Sequence, residues 1–92
     1  MGNKIKFAVI GQGHIGKRHA EMIRRHPESE LLAVCDIKSP TELDIVDIPE
    51  KFYSDFDELL LSHPEIEVVN IATPNGLHEI QALKAIKAGK HV

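Results

Sequence analysis

The chain has 92 residues, of which 42% are hydrophobic and 27% charged, and its formal net charge is −3 at pH 7. A chain this short holds one domain at most, and its composition is ordinary for a globular protein. Acidic and basic residues are interleaved, whereas nucleic-acid-binding proteins normally carry a basic patch, so no nucleic-acid partner is expected. The apolar run from Ile5 to Ile10 is too short for a signal peptide or a membrane span. We therefore expect a cytoplasmic protein with no membrane partner.

Strands and helices are predicted to alternate along the chain. The predicted elements, in chain order, are a strand over 5–10, a helix over 15–26, a strand over 31–35, a short strand over 52–53, a helix over 56–62, a strand over 68–72, a helix over 77–88 and the start of another strand at 91–92. Most of these strands are continuous apolar runs, which is typical of strands buried on both faces. Alternation of this kind implies a doubly wound α/β fold, with a parallel sheet and right-handed crossovers.

Helix ends are marked by residues that start or stop helices. In the first predicted helix, positions spaced by three and four predict one inner face, formed by Ile15, His19, Met22, Ile23 and His26. Pro27 stops this helix. Ser54 or Asp55 caps the second helix, and Gly89 is expected to cap the end of the third. Residues 37–51 contain prolines and no clear period, so we predict a loop there.

A glycine-rich segment follows the first predicted strand directly and opens the first predicted helix. It has the pattern GxGxxG, and its residues are Gly11, Gln12, Gly13, His14, Ile15 and Gly16. Gly11 allows the tight turn, Gly13 lets a pyrophosphate approach the backbone, and Gly16 lets the helix pack closely on the strand. The amino end of the helix offers free N–H groups and a positive dipole end to phosphates. This context is typical of a Rossmann-like dinucleotide-binding domain.

An acidic residue stands where such a domain places its ribose-binding carboxylate. Asp36 ends the second predicted strand, about 20 residues after Gly16, and can accept hydrogen bonds from the adenosine ribose. Since a carboxylate repels a 2′-phosphate, NAD is expected rather than NADP, although Lys38 can pair with a phosphate and weakens that preference. Ile37, between them, is a further candidate contact. Two alternatives remain: a chance combination of turn and acid, or a methyltransferase that binds adenosylmethionine through a similar loop.

A Thr-Pro-Asn turn follows the strand predicted at 68–72 and forms a second candidate site. It lies at the carboxyl end of a strand, where ligands bind in open α/β sheets. The same residues suit a plain start of a helix, because Thr73 or Asn75 can cap and Pro74 fits the first helical position. The residues alone favour the helix start over the binding site.

Three stretches of the chain carry a family resemblance. They are Phe7–His19 with the glycine segment, Ala33–Asp36, and Ile71–Val92, whose Thr-Pro-Asn-x-x-His and Gly-Lys-His-Val motifs are the most specific. In this order and spacing they resemble the glucose–fructose oxidoreductase/inositol dehydrogenase/MocA family of NAD-dependent oxidoreductases. In that family the third stretch runs beneath the nicotinamide half of the cofactor. The resemblance therefore implies cofactor contacts from Ala72, Thr73, Pro74, Asn75 and His78.

The resemblance also implies what the chain lacks. In that family a Glu-Lys-Pro motif with a catalytic lysine follows the Gly-Lys-His-Val stretch, and a second, mostly β domain supplies substrate groups. The chain ends at Val92, so we expect a Rossmann-like domain truncated before completion over residues 1–92, with no catalytic residue and no substrate domain. We expect the whole protein to be a homo-oligomer.

The expected activity is hydride transfer between NAD and a carbinol carbon of a sugar, cyclitol or nucleotide sugar. Residues 17–22 and 75–78 are similar to members that act on UDP-N-acetylglucosamine or its uronic acid. The alternative is a module that binds or senses a dinucleotide without chemistry.

No metal site is expected, because the six histidines form no HExxH motif and no Cys/His pair at metal-binding spacing. His19 is expected to have a packing role on the inner face of the first helix. Cys35, the single cysteine, is expected to be a small buried hydrophobic residue.

Overall fold

The computed structural model of the chain describes residues 4–45, 48–73 and 75–92, without the side chains of Asn75 and Gly76. Strands and helices alternate in the described ranges as the sequence predicts. They are β1 Ile5–Ile10, α1 His14–Arg25, β2 Ser29–Cys35, β3 Lys51–Tyr53, α2 Phe56–Ser62, β4 Val68–Ile71 and α3 Asn75–Lys87.

The described strands form one parallel sheet in the order β3-β2-β1-β4. β1 lies in the middle, with Ile10 beside Cys35 of β2 and Ile71 of β4. His91 extends the sheet by a single parallel bridge to Val68, where the sequence predicts the start of another strand. The carboxyl ends of β1, β2 and β4 therefore meet at one edge, which is where open α/β sheets bind ligands.

The sheet is covered on both faces, since successive residues of a strand point to opposite sides. On one face, Val9 and Val34 pack with Ala20 and Ile23 of α1. On the other face lies the larger core, which α2 and α3 cover; its buried members are Ala8, Ile10, Ala33, Cys35, Tyr53, Phe56, Leu59, Ile66, Val69 and Ala85. The prediction of a doubly wound α/β fold is confirmed.

The predicted inner face of α1 is correct at Ile23 and wrong at Ile15 and Met22. The buried residues of this helix are Gly16, Ala20 and Ile23, whereas Ile15 and Met22 are each 63% exposed. Small residues at positions 16 and 20 allow the helix axis to approach the sheet closely, and that approach determines which side faces inward.

The helix ends follow the sequence signals. Asp55 is the N-cap of α2 and its side chain accepts a hydrogen bond from the Asp57 N–H. α1 ends at Arg25, before Pro27, and Gly89 follows α3 with a positive φ of 81°, a conformation that favours glycine. None of the helices in the described ranges is long and apolar enough to cross a membrane.

Candidate functional site

A cleft of about 530 Å³ opens at the carboxyl edge of the sheet. Its walls come from the glycine loop, the end of β2, the loop that follows β2, the start of α2 and the segment between β4 and α3. The lining residues are Ile10, Gly11, Gly13, His14, Ile15, Cys35, Asp36, Ile37, Lys38, Leu43, Ser54, Phe56, Ala72, Thr73, Leu77 and Gln81. The fold therefore brings the glycine loop, the strand-end acid and the Thr73 segment, far apart in sequence, around one space.

The backbone of the glycine loop requires two of its glycines. Gly11 has a φ of +93°, and a Cβ there would lie 2.8 Å from the Ala72 carbonyl group. A Cβ on Gly16 would lie 1.7 Å from the carbonyl oxygen of Gly11, so the first turn of α1 folds tightly against the loop. A Cβ on Gly13 would meet nothing within 4 Å. The loop therefore presents a bare stretch of backbone at Gly13 to the cleft.

Asp36 joins the end of β2 to the glycine loop. Its Oδ2 accepts a hydrogen bond of 2.7 Å from the Gln12 N–H, and its Oδ1 accepts one of 2.9 Å from the Lys38 N–H. These two bonds hold the carboxylate plane at the wall of the cleft. Because two carboxylate oxygens offer about four lone-pair positions, acceptor capacity remains on Asp36 for a ligand.

Cys35 directly precedes Asp36 and is buried, as expected. Burial raises the pKa of its thiol from an ordinary 9.0 to about 12, and the nearby charges of Asp36 and Asp55 act in the same direction. The thiol is therefore neutral at physiological pH and forms an apolar part of the cleft wall.

Thr73 is hydrogen-bonded to a side chain of helix α3. Its hydroxyl donates a hydrogen bond of 2.5 Å to Oε1 of Gln81, and Gln81 also lines the cleft. Sequence reasoning missed Gln81, because α3 carries several other polar residues and nothing in the sequence distinguishes this one. It also missed Leu43, which lies in the loop after β2.

Several predicted contacts lie away from the cleft wall. The Gln12 side chain is buried and donates to the Gly11 carbonyl, and Gly16 is buried within α1. His78 lies in a second pocket of about 280 Å³, whose walls also include His19 and Asn70. Pro74 is outside the described residues, as is the side chain of Asn75.

The second pocket contains two unpartnered ring nitrogens. Within the described part of the chain, neither Nδ1 of His19 nor Nε2 of His78 has a hydrogen-bond partner. The packing role expected for His19 stays a prediction. The residues that the structure describes contain no group of three or more His, Cys, Asp or Glu side chains that could hold a metal ion.

Comparison with known proteins identifies the family. Residues 5–92 match the model of an oxidoreductase family with an NAD-binding Rossmann fold, named for Gfo, Idh and MocA. The chain belongs to this family. This match confirms the resemblance that the sequence motifs indicate. It also confirms the prediction that NAD is the cofactor of this fold.

Curated relatives and solved structures agree with this assignment. An inositol 2-dehydrogenase/D-chiro-inositol 3-dehydrogenase of Lacticaseibacillus casei is 33% identical, over 96% of this chain and 26% of the relative. The crystal structure of scyllo-inositol dehydrogenase from Lactobacillus casei, with NAD(H) and scyllo-inositol, is 32% identical, with a TM-score of 0.79 over 98% of this chain and 27% of that one. The crystal structure of WlbA dehydrogenase from Bordetella pertussis, in complex with NADH and UDP-GlcNAcA, is 30% identical. Its TM-score is 0.82 over 100% of this chain and 27% of that one.

The chain spans about a quarter of the length of the curated relatives that it matches, 27% of an uncharacterized oxidoreductase of Bacillus subtilis for example. The family match places the cofactor fold within these residues.

The cleft fits a dinucleotide by its own features. Its volume of about 530 Å³ lies in the range of small-molecule and cofactor sites. Gly13 leaves backbone accessible at the amino end of α1, where phosphate groups are favoured. Asp36 supplies a fixed acceptor on the same wall.

Proposed function

We propose that the chain binds NAD along this cleft. The pyrophosphate lies at the glycine loop, the adenosine ribose at Asp36 and the nicotinamide half at Thr73. The observation that carries this proposal is that these three segments line one continuous cleft in a chain of an NAD-binding family. The proposed contacts are Gly11, Gln12, Gly13, His14, Ile15, Gly16, Asp36, Ile37, Lys38, Ala72, Thr73, Pro74, Asn75 and His78.

NAD is preferred over NADP in this proposal because Asp36 is charged and fixed. Hydrogen bonds from the Gln12 and Lys38 N–H groups fix the orientation of its carboxylate. The carboxylate therefore cannot rotate away from a 2′-phosphate. Two like charges at close range repel each other. The exposed Lys38 side chain reduces this repulsion.

Calorimetric titration with NAD and NADP tests the cofactor proposal. The wild-type chain is expected to bind NAD more tightly than NADP, and Asp36→Ala is expected to weaken NAD binding by about 1–3 kcal/mol, because a charged acceptor is lost. Asp57→Ala is the matched control, since Asp57 pairs with Lys84 on the surface and does not line the cleft. Equal or tighter binding of NADP would assign the preference to Lys38. Absence of NAD binding by the wild-type chain would refute the proposed function.

We further propose that the chain is the cofactor-binding part of a dehydrogenase. When bound, NAD would supply a hydride acceptor or donor, and the other reactant would be a carbinol of a sugar, cyclitol or nucleotide sugar. Support comes from relatives that are named inositol dehydrogenases and from WlbA, whose structure holds UDP-GlcNAcA. The length of these relatives supports placing the catalytic and substrate groups outside residues 1–92, so we assign no catalytic residue within them.

An activity assay distinguishes this proposal from a sensing module. The 92-residue chain is expected to bind NAD without reducing it in the presence of myo-inositol or UDP-N-acetylglucosamine. A protein that continues into a Glu-Lys-Pro motif and a second domain is expected to reduce NAD with one of these substrate classes. NAD binding without turnover in such a protein would favour the sensing module.

A further inference from the structure

Lys17 makes a contact that its local position does not explain. It lies in the first turn of α1, which contains no acidic residue, and a cation at the amino end of a helix is opposed by the helix dipole. Its side chain nevertheless crosses to the loop after β2, where Nζ donates a hydrogen bond to the carbonyl oxygen of Leu43.

That loop contains a short helical turn with its own capping residues. The Ser39 N–H donates to the carboxylate of Glu42, and the Glu42 N–H donates to the Ser39 hydroxyl. These bonds hold the pKa of Glu42 below its ordinary value of 4.5, and the bond from the backbone N–H of Ser39 has the largest effect. The turn closes with a bond from the Leu43 N–H to the Ser39 carbonyl and ends at Asp44, whose φ is 59°.

Lys17 therefore caps the carboxyl end of this turn. The last carbonyl groups of a helical turn lack partners within it, and a lysine that hydrogen-bonds them is favoured by both charge and geometry. The helix dipole disfavours the Lys17 ammonium group at the start of α1, whereas the free carbonyl groups favour it at the end of the turn. Its hydrogen bond to Leu43 fixes the distance between α1 and the turn.

The side chain fixed by this contact faces the cofactor cleft. Leu43 is buried and lines the cleft together with Asp36 and Ile37, the residues to which the proposed function assigns the adenosine. If the turn moved away from α1, Leu43 would leave this wall.

We propose that Lys17 is a positioning residue for the adenosine end of the cleft, acting through Leu43. This inference rests on the proposed binding of NAD. It differs from a direct role in phosphate binding, which the charge of Lys17 and its nearness to the glycine loop would also suggest, because Nζ is engaged by the Leu43 carbonyl.

The two roles predict different ligand dependences, which calorimetry and NMR titration can measure. For Lys17→Met, which keeps an unbranched side chain one atom shorter and removes the donor, affinities for NAD and for uncharged adenosine are expected to fall by the same factor, about tenfold. Lys17→Arg, which keeps donors on a long side chain, is expected to stay within about threefold of wild type. Arg18→Met is the control, since Arg18 is the exposed neighbour and should leave both affinities unchanged.

A double-mutant cycle tests whether Lys17 acts through Leu43. Leu43→Ala alone is expected to weaken both ligands, and adding Lys17→Met to it is expected to weaken them little further, because residues that act through one contact are not additive. Full additivity would overturn the proposal, as would an adenosine affinity unchanged by Lys17→Met while NAD affinity falls. Lys17→Leu, which also removes the donor, provides the same comparison if Lys17→Met does not fold. Failure of the wild-type chain to bind NAD would instead refute the proposed function.

Discussion

Two glycines of the glycine loop serve its fold, and one faces the cleft. Gly11 and Gly16 have backbone atoms within 3 Å of where a Cβ would stand, whereas Gly13 has none within 4 Å. The sequence pattern alone gives each glycine a separate role, and the structure agrees for the turn at Gly11. At Gly16 the close neighbour is the loop carbonyl of Gly11, so the helix packs against the end of the strand.

Valine substitutions at Gly13 and Gly16 separate binding from folding. Gly16→Val is expected to lose the cooperative thermal transition, because its Cβ would stand 1.7 Å from a backbone oxygen that cannot move away. Gly13→Val is expected to keep the wild-type circular dichroism spectrum and melting temperature but to lose measurable NAD binding by calorimetry, since its side chain fills the approach to the backbone. Retention of wild-type NAD affinity by Gly13→Val would mean that the loop is only a turn.

Site residues could be predicted from the sequence where a local pattern fixes them. The glycine loop and Asp36 follow from a strand, a turn and a helix at known spacing, and both lie at the cleft. Leu43 and Gln81 could not be predicted, because their positions depend on contacts across the fold, such as the one between Lys17 and Leu43. The cofactor role of His78 stays a prediction, since its side chain lies in the second pocket.

At the scale of elements, boundaries could be predicted better than faces. β1 and α2 have the predicted bounds, and the bounds of the other elements differ from the prediction by two residues at most, as helix and strand ends commonly do. The face of α1 was predicted from apolar spacing, yet the sheet contacts its small residues. The turn from Ser39 to Asp44 was predicted as plain loop, because capping residues without an apolar period give little signal.

The link between α1 and the start of β3 depends on a buried charge. The side chain of Glu50 is 1% exposed, and the guanidinium of Arg24, 26% exposed, binds it through two nitrogens. The hydrogen bond to Glu50 is the main reason that the pKa of Arg24 is raised, against the effect of burial. Removing the arginine would leave a buried carboxylate without its cationic partner, which is far more costly than losing a surface pair.

Arg24→Met is therefore expected to lower the free energy of unfolding by about 2–4 kcal/mol, measured by urea denaturation. Arg25→Met is the matched control: Arg25 is 79% exposed and pairs with Glu21 at the surface, so its loss should cost less than about 1 kcal/mol. Adding Glu50→Gln to Arg24→Met is expected to recover part of the loss, because the unpaired charge is removed. Equal effects of the two arginine substitutions would show that the buried pair contributes no more than the surface pair.

At the scale of the whole molecule, one side of the described fold remains open. β4 pairs with β1 along its length, but on its other side the described residues provide only the bridge from Val68 to His91. α3 turns its alanine Ala85 toward the core and leaves larger side chains exposed. Three of these side chains, which we call the α3 face, are Ile80, Leu83 and Ile86; they are 56%, 50% and 58% exposed.

The 92-residue chain is expected to self-associate through the α3 face and the adjoining edge of β4. A contiguous apolar patch favours association, and an open strand edge offers backbone groups to a second chain. Sedimentation velocity over a range of concentrations should show dimers or larger species for the wild-type chain. The double variant Ile80→Lys/Leu83→Lys should sediment as a monomer, because two charges interrupt the apolar surface. Leu61→Lys is the control: Leu61 is 84% exposed but lies on α2, so association should persist. A wild-type chain that stays monomeric at all concentrations would mean that the α3 face is stable in water, and a monomeric Leu61→Lys variant would place the contact on α2.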